Sequence, residues 1–290
     1  MIVFKRYGDL INWLQRQRAA GLQIGFVPTL GALHEGHISL ITISKKNTSL
    51  TVCSIFVNPT QFNDPKDFQK YPVTIEKDIA LLEKAGTDVL FLPEVSELYP
   101  TGTTGLEHYE LGSLETLLEG KYRPGHFQGV CQVMNRLLNI VRPDDLYMGS
   151  KDYQQCMVIQ RLLAIMQLKT TLHRCPIIRE PDGLAMSSRN TRLTPAQRTN
   201  ALAIYQALLT IKEGWHTAHT PAAAPARDIA ALVAKATATL EAAAFRVDYV
   251  TIADPATLEP LPPSLPPQDN AVALIAAFQG EVRLIDNMTL

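Results

Sequence analysis

Between residues 23 and 175, short β-branched runs alternate with longer segments of helical period, and this alternation constrains the fold more than any other feature. Gln23–Val27 leads into a helix over Gly36–Lys46. Leu50–Val57 is extended, the Ile75, Ile79, Leu82 spacing predicts a helix over Ile75–Ala85, and Val89–Leu92 is extended again. A later round places helices at Gln128–Val141 and Tyr153–Met166, with strands at Leu146–Met148 and Thr170–Cys175. Strands separated by helices cannot pair as hairpins, so the expected fold class is α/β, a parallel sheet with helices on both faces. Such sheets bind ligands beyond the carboxyl ends of their strands.

After Thr194 the pattern changes. Pro195 starts a helix to Lys212, a low-complexity stretch runs from Thr217 to Arg227, and a second alanine-rich helix follows to Ala244. Extended runs at Arg246–Ile252, Ala271–Phe278 and Val282–Asp286 close the chain, the first two separated by Pro255, Pro260, Pro262, Pro263, Pro266 and Pro267. A smaller α+β C-terminal domain is expected, with the boundary between Ile178 and Arg189 and the chain divided at 1–178 and 179–290. At 290 residues the chain has room for both, and 46% hydrophobic residues exclude a disordered chain or a mini-protein scaffold.

Charge narrows the partners. Twenty-seven Lys and Arg against 28 Asp and Glu give a net charge of −1, so no overall field draws in nucleic acid or acidic lipid. Cys53, Cys131, Cys156 and Cys175 form no Cys-x-x-Cys pair and read as small buried residues in a reducing compartment. Lys5, Arg6 and Asp9 stand where a signal peptide needs an apolar core, and the longest apolar run, Ala271–Phe278, has eight residues. The expected setting is cytoplasmic, with no membrane partner.

The most informative stretch is Gly25-Phe-Val-Pro-Thr-Leu-Gly-Ala-Leu-His-Glu-Gly-His37, a strand entering a glycine turn and then a helix. Backbone N–H groups at such a helix start suit a phosphate. His34 and His37, three residues apart, share a face of the first turn and can donate to phosphoryl oxygens; the plain alternative is a histidine pair that caps the helix. Their spacing disfavours zinc, which helical metalloproteases hold with histidines four apart. Gly149-Ser-Lys-Asp-Tyr-Gln-Gln155 again follows a strand: Lys151 can neutralise a phosphate, and Asp152 and Gln155 can hold ribose or carboxylate groups.

Arg179-Glu-Pro-Asp-Gly-Leu-Ala-Met-Ser-Ser-Arg-Asn190, at the domain boundary, carries hydroxyls and guanidiniums suited to a loop that closes on a triphosphate. Asn58-Pro-Thr-Gln-Phe-Asn63 offers amides to a small polar acid, and Arg123-Pro-Gly-His-Phe127 combines a cation, a turn and a histidine. His108, His173, His216 and His219 lack supporting neighbours and read as structural or surface residues.

Taken together, Pro-Thr-Leu-Gly-Ala-Leu-His-Glu-Gly-His, Phe-Val-Asn-Pro-Thr-Gln-Phe, Arg-Pro-Gly-His-Phe, Gly-Ser-Lys-Asp-Tyr-Gln-Gln and Asp-Gly-Leu-Ala-Met-Ser-Ser-Arg-Asn resemble, in order, the pantothenate synthetase, or pantoate–β-alanine ligase, family of the nucleotidyltransferase superfamily. The resemblance implies a cytoplasmic homodimer of the vitamin B5 and coenzyme A pathway, with a Rossmann-like domain that binds nucleotide and pantoate, a C-terminal lid, and Mg-ATP as cosubstrate. It implies that His34, His37 and Lys151 are catalytic. Leu30, Gly31, Ala32, Leu33, His34, Glu35, Gly36, His37, Gly149, Ser150, Lys151, Asp152, Ile178, Met186, Ser187, Ser188 and Arg189 would line the ATP site. Gln61 and Gln155 would hold pantoate, Gln61 also β-alanine, and Asn58 and Arg123 would lie on the substrate side. It assigns no Mg²⁺ ligand. Leu30 stands where the family commonly has Met, Met148 where an aromatic is usual and Ser150 where Glu is usual; the first two are apolar exchanges that should reshape the pocket only slightly, and the third removes a carboxylate from position 150.

The implied chemistry is attack of the pantoate carboxylate on the α-phosphorus of ATP, then attack of the β-alanine amine on the acyl adenylate, with AMP and pyrophosphate released. No protein nucleophile is needed; placement and charge neutralisation suffice. One rival is another nucleotidyltransferase acting on a phosphorylated substrate, disfavoured by the neutral amides at Asn58, Gln61 and Gln155. Another is a silent nucleotide-sensing module, for which two histidines, a lysine and an arginine aimed at phosphate are more than binding requires.

Overall fold

The computed structural model describes residues 1–62, 65–217, 227–265 and 270–290. They form two compact units, Met1–Ile178 and Arg179–Leu290.

In the first unit six strands, β1 (Ile2–Phe4), β2 (Ile24–Thr29), β3 (Leu50–Ile55), β4 (Val89–Phe91), β5 (Asp145–Gly149) and β6 (Thr171–Cys175), lie in the order β1-β4-β3-β2-β5-β6. Every pairing is parallel. The helices are α1 (Tyr7–Ala19), α2 (Glu35–Asn47), α3 (Pro65–Gln69), α4 (Ile75–Lys84), α5 (Val95–Leu98), α6 (Leu118–Tyr122), α7 (His126–Val141) and α8 (Tyr153–Ile165).

Alternate residues of the strands feed two cores. Phe26, Val52, Phe91 and Leu146 pack with α1, α7 and α8, whereas Val27, Cys53, Leu90 and Tyr147 pack with α2 and α4. Helices therefore cover both faces, as the near-continuous apolar strands require. The chain leaves β2 to β3 on one side and later returns to β5 on the other, so a topological switch point opens beyond the carboxyl ends of β2 and β5. At the opposite, amino end of β2, Gly25 allows the last turns of α2 their close approach, because a Cβ would lie 2.2 Å from Ser44 Oγ.

Five elements of this unit stand outside the expected alternation: β1, α1 and the short helices α3, α5 and α6. Helix α1 buries only Leu10 and Leu14 among charged and polar neighbours, which leaves a weak periodic signal. Helix α7 starts at His126, two residues before the expected start, because Gly125 turns the chain at φ +79°. His173, expected to lack supporting neighbours, lies 2.6 Å from Asp145 and stacks on the Tyr147 ring. All four cysteines are buried free thiols, and burial raises them to about 12, or about 11 for Cys175.

In the second unit α9 (Pro195–Asn200), α10 (Ala203–Thr217) and α11 (Ile229–Ala242) accompany strands β7 (Arg227–Asp228), β8 (Phe245–Ala253), β9 (Ser264–Leu265), β10 (Val272–Gln279) and β11 (Val282–Thr289). β11-β10-β8 form an antiparallel sheet, and β7 pairs with β9. The single helix expected from Pro195 is two. A Thr194–Gln197 capping box starts the first, and an Ile204 N–H bond to the Ala201 carbonyl, three residues back, interrupts the ladder before the second. Ile204, Leu208, Ile211 and Trp215 bury one helix face against Ala273, Ile275 and Leu284. Asn63, His219, Pro266, Pro267 and most of the Thr217–Arg227 stretch lie outside the described residues. Among the described residues no helix is long and apolar enough to cross a membrane.

Candidate active site

The loop leaving β2 is held by the protein's own polar groups. Gly31 has φ +83°, and a Cβ there would meet Ile55 and Asp78 at 3.1 and 3.2 Å, so the turn takes glycine. Ala32 follows at φ +49°, a left-handed conformation that costs an L-residue about 1–2 kcal/mol. Asp78, fully buried on α4, offsets that strain: its carboxylate accepts from Ala32 N at 2.9 Å and Leu33 N at 2.8 Å, and Thr74 Oγ1 donates to it at 3.0 Å. Gly31 N donates to Thr29 Oγ1.

The two histidines then close the start of α2. His34, extended at the N-cap, accepts from Gly36 N at its Nδ1 (3.1 Å), and His37 Nδ1 accepts from His34 N (3.3 Å). The capping arrangement is therefore real, and it carries a chemical consequence. Each Nδ1 is an acceptor, so each neutral ring holds its proton on Nε2. The expectation of a main-chain phosphate cradle changes accordingly: the N–H groups of residues 31–34, 36 and 37 are engaged within the protein, and the imidazole Nε2–H groups are side-chain donors that this loop presents.

Across the switch point, the turn Ser150–Asp152 follows β5. Lys151 and Asp152 act electrostatically on His34, and Lys151 also on His37, which brings these four residues into one cluster. Burial, then the Lys151 charge, lowers His34 to about 4. Burial, then His34 and Lys151, lowers His37 to about 3. Both rings are neutral at pH 7. Glu35 is exposed, Leu30 and Gly149 are half-buried, and Ile178 follows β6 as the last residue of this unit.

The third strand end carries the amides. The turn Pro59–Gln61 follows β3, capped by Asn58. Asn58 is completely buried and its amide is fully used: Nδ2 donates to the Gly129 carbonyl (3.1 Å) and to Gln61 Oε1 (3.2 Å), while Oδ1 accepts from Tyr99 Oη (2.8 Å) and Thr60 N (3.4 Å). Asn58, expected on the substrate side, thus contacts Gln61 rather than open space. Arg123 NH1 lies 3.0 Å from His126 Nε2 and 3.7 Å from Glu119, and His126 Nδ1 lies 2.7 Å from the Gln61 carbonyl, so Arg123 also acts through a chain ending on Gln61. Gly129 lets α7 touch this turn; a Cβ would fall 2.1 Å from the Thr60 carbonyl oxygen. Gln155 is half-buried on α8, while neighbouring Gln154 is spent bonding Glu119 N and the carbonyls of Leu114 and Leu117.

Met186, Ser187, Ser188 and Arg189 belong to the second unit. Ser187 caps the turn Ser188–Arg192 by accepting from Arg189 N, and Asn190 Nδ2 donates to the Ala185 carbonyl. This segment hangs from Arg179, whose guanidinium forks onto buried Asp286 (2.6 and 3.0 Å), donates to the Gly183 carbonyl and lies 4.4 Å from the Tyr205 ring centroid. Asp78, Tyr99 and Asp286 gave no sequence signal, because each meets its partner across a long separation; Arg179, expected among the guanidiniums for a triphosphate, instead spends its fork on Asp286.

A family model described as pantoate-beta-alanine ligase matches residues 2–289. A pantothenate synthetase of Porphyromonas gingivalis is 43% identical over 289 residues, 99% of each chain, and one of Aquifex aeolicus 40% identical over 286 residues, 99% of this chain and 98% of the relative. Among solved structures, a pantothenate synthetase from Thermus thermophilus superposes with a TM-score of 0.89 at 38% identity, covering 99% of both chains. Pantoate-beta-alanine ligase from Francisella tularensis, solved with an ATP compound and β-alanine, superposes at 0.81 with 35% identity, covering 99% of this chain and 97% of its own. With its whole length matched and its strand-end motifs in place, the chain belongs to the pantoate–β-alanine ligase family.

Proposed function

We propose that this chain joins pantoate to β-alanine at the expense of ATP through a pantoyl adenylate. A pantoate carboxylate oxygen bonds to the α-phosphorus as the bond to pyrophosphate breaks. The unprotonated β-alanine nitrogen then bonds to the acyl carbon, AMP leaves with the C–O electron pair, and the nitrogen gives up a proton.

The observation that carries the reading is the His34–His37 cap facing Lys151 across the β2/β5 switch point. Two Nε2–H donors and an ammonium favour the charge that builds on the phosphoryl oxygens during in-line transfer. Gln61 and Gln155 orient pantoate, Gln61 also β-alanine, with Asn58 and Arg123 acting on Gln61. Gly149, Asp152 and Ile178 line the nucleoside, and Met186, Ser187, Ser188 and Arg189 bind the triphosphate as the C-terminal unit serves as a lid that keeps water from the mixed anhydride.

Among the described residues no group of three or more His, Cys, Asp or Glu side chains is placed to hold a metal, and Mg²⁺ enters this proposal only within the substrate Mg-ATP. A cytoplasmic homodimer is part of the same reading, resting on the family resemblance, with sedimentation as its check. The test of mechanism is exchange of labelled pyrophosphate into ATP. Exchange that requires pantoate and proceeds without β-alanine is expected; its absence in protein that still makes amide would overturn the adenylate.

A further inference from the structure

The amide at Gln61 is not free to choose its orientation. Two groups around Asn58 have only one possible role in a hydrogen bond: Thr60 N donates and the Gly129 carbonyl accepts. They set which way Asn58 faces, Oδ1 toward Thr60 and Tyr99 and Nδ2 toward Gly129, and the Tyr99 hydroxyl, donating to Oδ1 at 2.8 Å against 3.4 Å for Thr60 N, holds the amide there. The second Nδ2 hydrogen then points at residue 61, 3.2 Å away, and only an oxygen can receive it. Gln61 is thereby set with Oε1 turned to Asn58 and Nε2 as the end that remains for a ligand. Its main chain is fixed as well, since Arg123 donates to His126 Nε2 and His126 Nδ1–H donates to the Gln61 carbonyl.

We propose that Tyr99 is a positioning residue for the acid substrate: through Asn58 it locks the Gln61 amide so that only donors face the ligand, selecting groups that accept hydrogen bonds, a carboxylate or a hydroxyl oxygen. Tyr99 is suited to this. It follows α5, is 3% exposed, and donates to Asn58 Oδ1 at 2.8 Å. The Arg136 guanidinium lies 4.5 Å from its ring centroid, and the Phe56 ring packs on it at 6.4 Å. Thr60 Oγ1 lies 3.2 Å from the Tyr99 hydroxyl and 3.1 Å from Asn58 Oδ1, which closes the cluster. An unlocked Gln61 would spend part of its time with Oε1 outward, repelling the carboxylate it is meant to hold.

The inference rests on the reading that Gln61 holds pantoate, and the experiment separates the two. Steady-state kinetics and thermal unfolding are measured on the full chain for Tyr99→Phe, Asn58→Asp and Gln61→Ala, with the carboxamide analogue of pantoate as a competitive inhibitor. Tyr99→Phe removes the hydroxyl's bond to Asn58 Oδ1 and its contact with Thr60 Oγ1, which keeps Asn58 Oδ1 and the Gly129 carbonyl within reach, and should raise KM for pantoate about fivefold, leaving KM for ATP and the unfolding midpoint nearly unchanged. Asn58→Asp removes the donor that holds Oε1 and should raise KM for pantoate further. It should also narrow the preference for pantoate over the carboxamide, a readout that a purely structural role would not move.

If Gln61→Ala raises KM for pantoate while Tyr99→Phe and Asn58→Asp leave it unchanged, the lock is wrong and Gln61 still binds the acid. If Gln61→Ala leaves it unchanged, the underlying reading fails. Equal rises in both KM values with a lowered midpoint in Tyr99→Phe would make Tyr99 a packing residue and overturn the proposal.

Discussion

The loop after β2 and the loop after β3 solve the same problem by different means. Both turn groups that can donate or accept into fixed donors. The β2 loop does so largely within itself, since His34 and His37 orient one another across three residues and only Asp78 is supplied from far along the chain. The β3 loop borrows from several elements: Tyr99 after α5, Gly129 and His126 in α7, and Arg123 before it. A local device is readable in sequence and fails when its own residues change. A distributed device is silent in sequence and can be broken from a distance.

The largest effect is expected where the local device meets the reaction. On the proposed mechanism His37→Ala removes a donor to the transferred phosphoryl group, and it should slow adenylate formation by roughly 10²–10³, about 2.7–4 kcal/mol, in single-turnover measurement. It also loses one arm of the cap, at about 1 kcal/mol of stability. Wild-type adenylation in this variant would reduce the histidine pair to a helix cap.

Asp78→Asn tests the one long-range strut of the β2 loop. The new amide can accept from one of the Ala32 and Leu33 N–H groups but turns a donor toward the other, so about 1.5–3 kcal/mol of stability should be lost in denaturant titration. KM for ATP should rise more than KM for pantoate. An equal rise in both would mean that the two loops are not independent.

The β3 loop is probed from the far side by Gly129→Ala. A Cβ 2.1 Å from the Thr60 carbonyl forces the Pro59–Gln61 turn away from α7, at a cost of about 1–3 kcal/mol. KM for pantoate should rise here and KM for ATP should stay, the mirror of Asp78→Asn.

This contrast also explains how much could be read in advance. The doubly covered sheet was legible because strands buried on both faces are apolar throughout, and His34, His37 and Lys151 were legible because each follows a strand within a few residues. Helix α1 was not, with two buried residues in thirteen, nor was the break between α9 and α10. Asp78 sits on α4 beside Glu76 and Glu83, where an acidic residue is ordinary, and nothing local marks that it alone turns inward to meet a loop 45 residues earlier. The engagement of the Ala32 and Leu33 N–H groups was hidden for the same reason, since their acceptor, Asp78, is distant in sequence, whereas those of Gly31, His34, Gly36 and His37 meet acceptors within three residues.

The smallest effect concerns pH and separates the loops by chemistry alone, since the Asn58 and Gln61 amides do not titrate. His34 and His37 titrate at about 4 and about 3, held down first by burial and then by neighbouring positive charge. Both values lie below the ordinary histidine value of about 6.5, so in that interval the unfolded chain binds more protons than the folded one. Their contribution to stability is complete above about pH 6.5 and is lost as the pH falls from there toward 4 and 3. Protonation also converts the Nδ1 acceptors to donors and opens the cap, so the start of α2 should loosen before the amide network does. In proton NMR the Cε1–H signals of these two rings, assigned by His34→Ala and His37→Ala, should stay nearly still from pH 8 to pH 5. A midpoint near 6.5 for either ring would mean that it is not held by the cap, and the donors assigned to the β2 loop would have to be sought elsewhere.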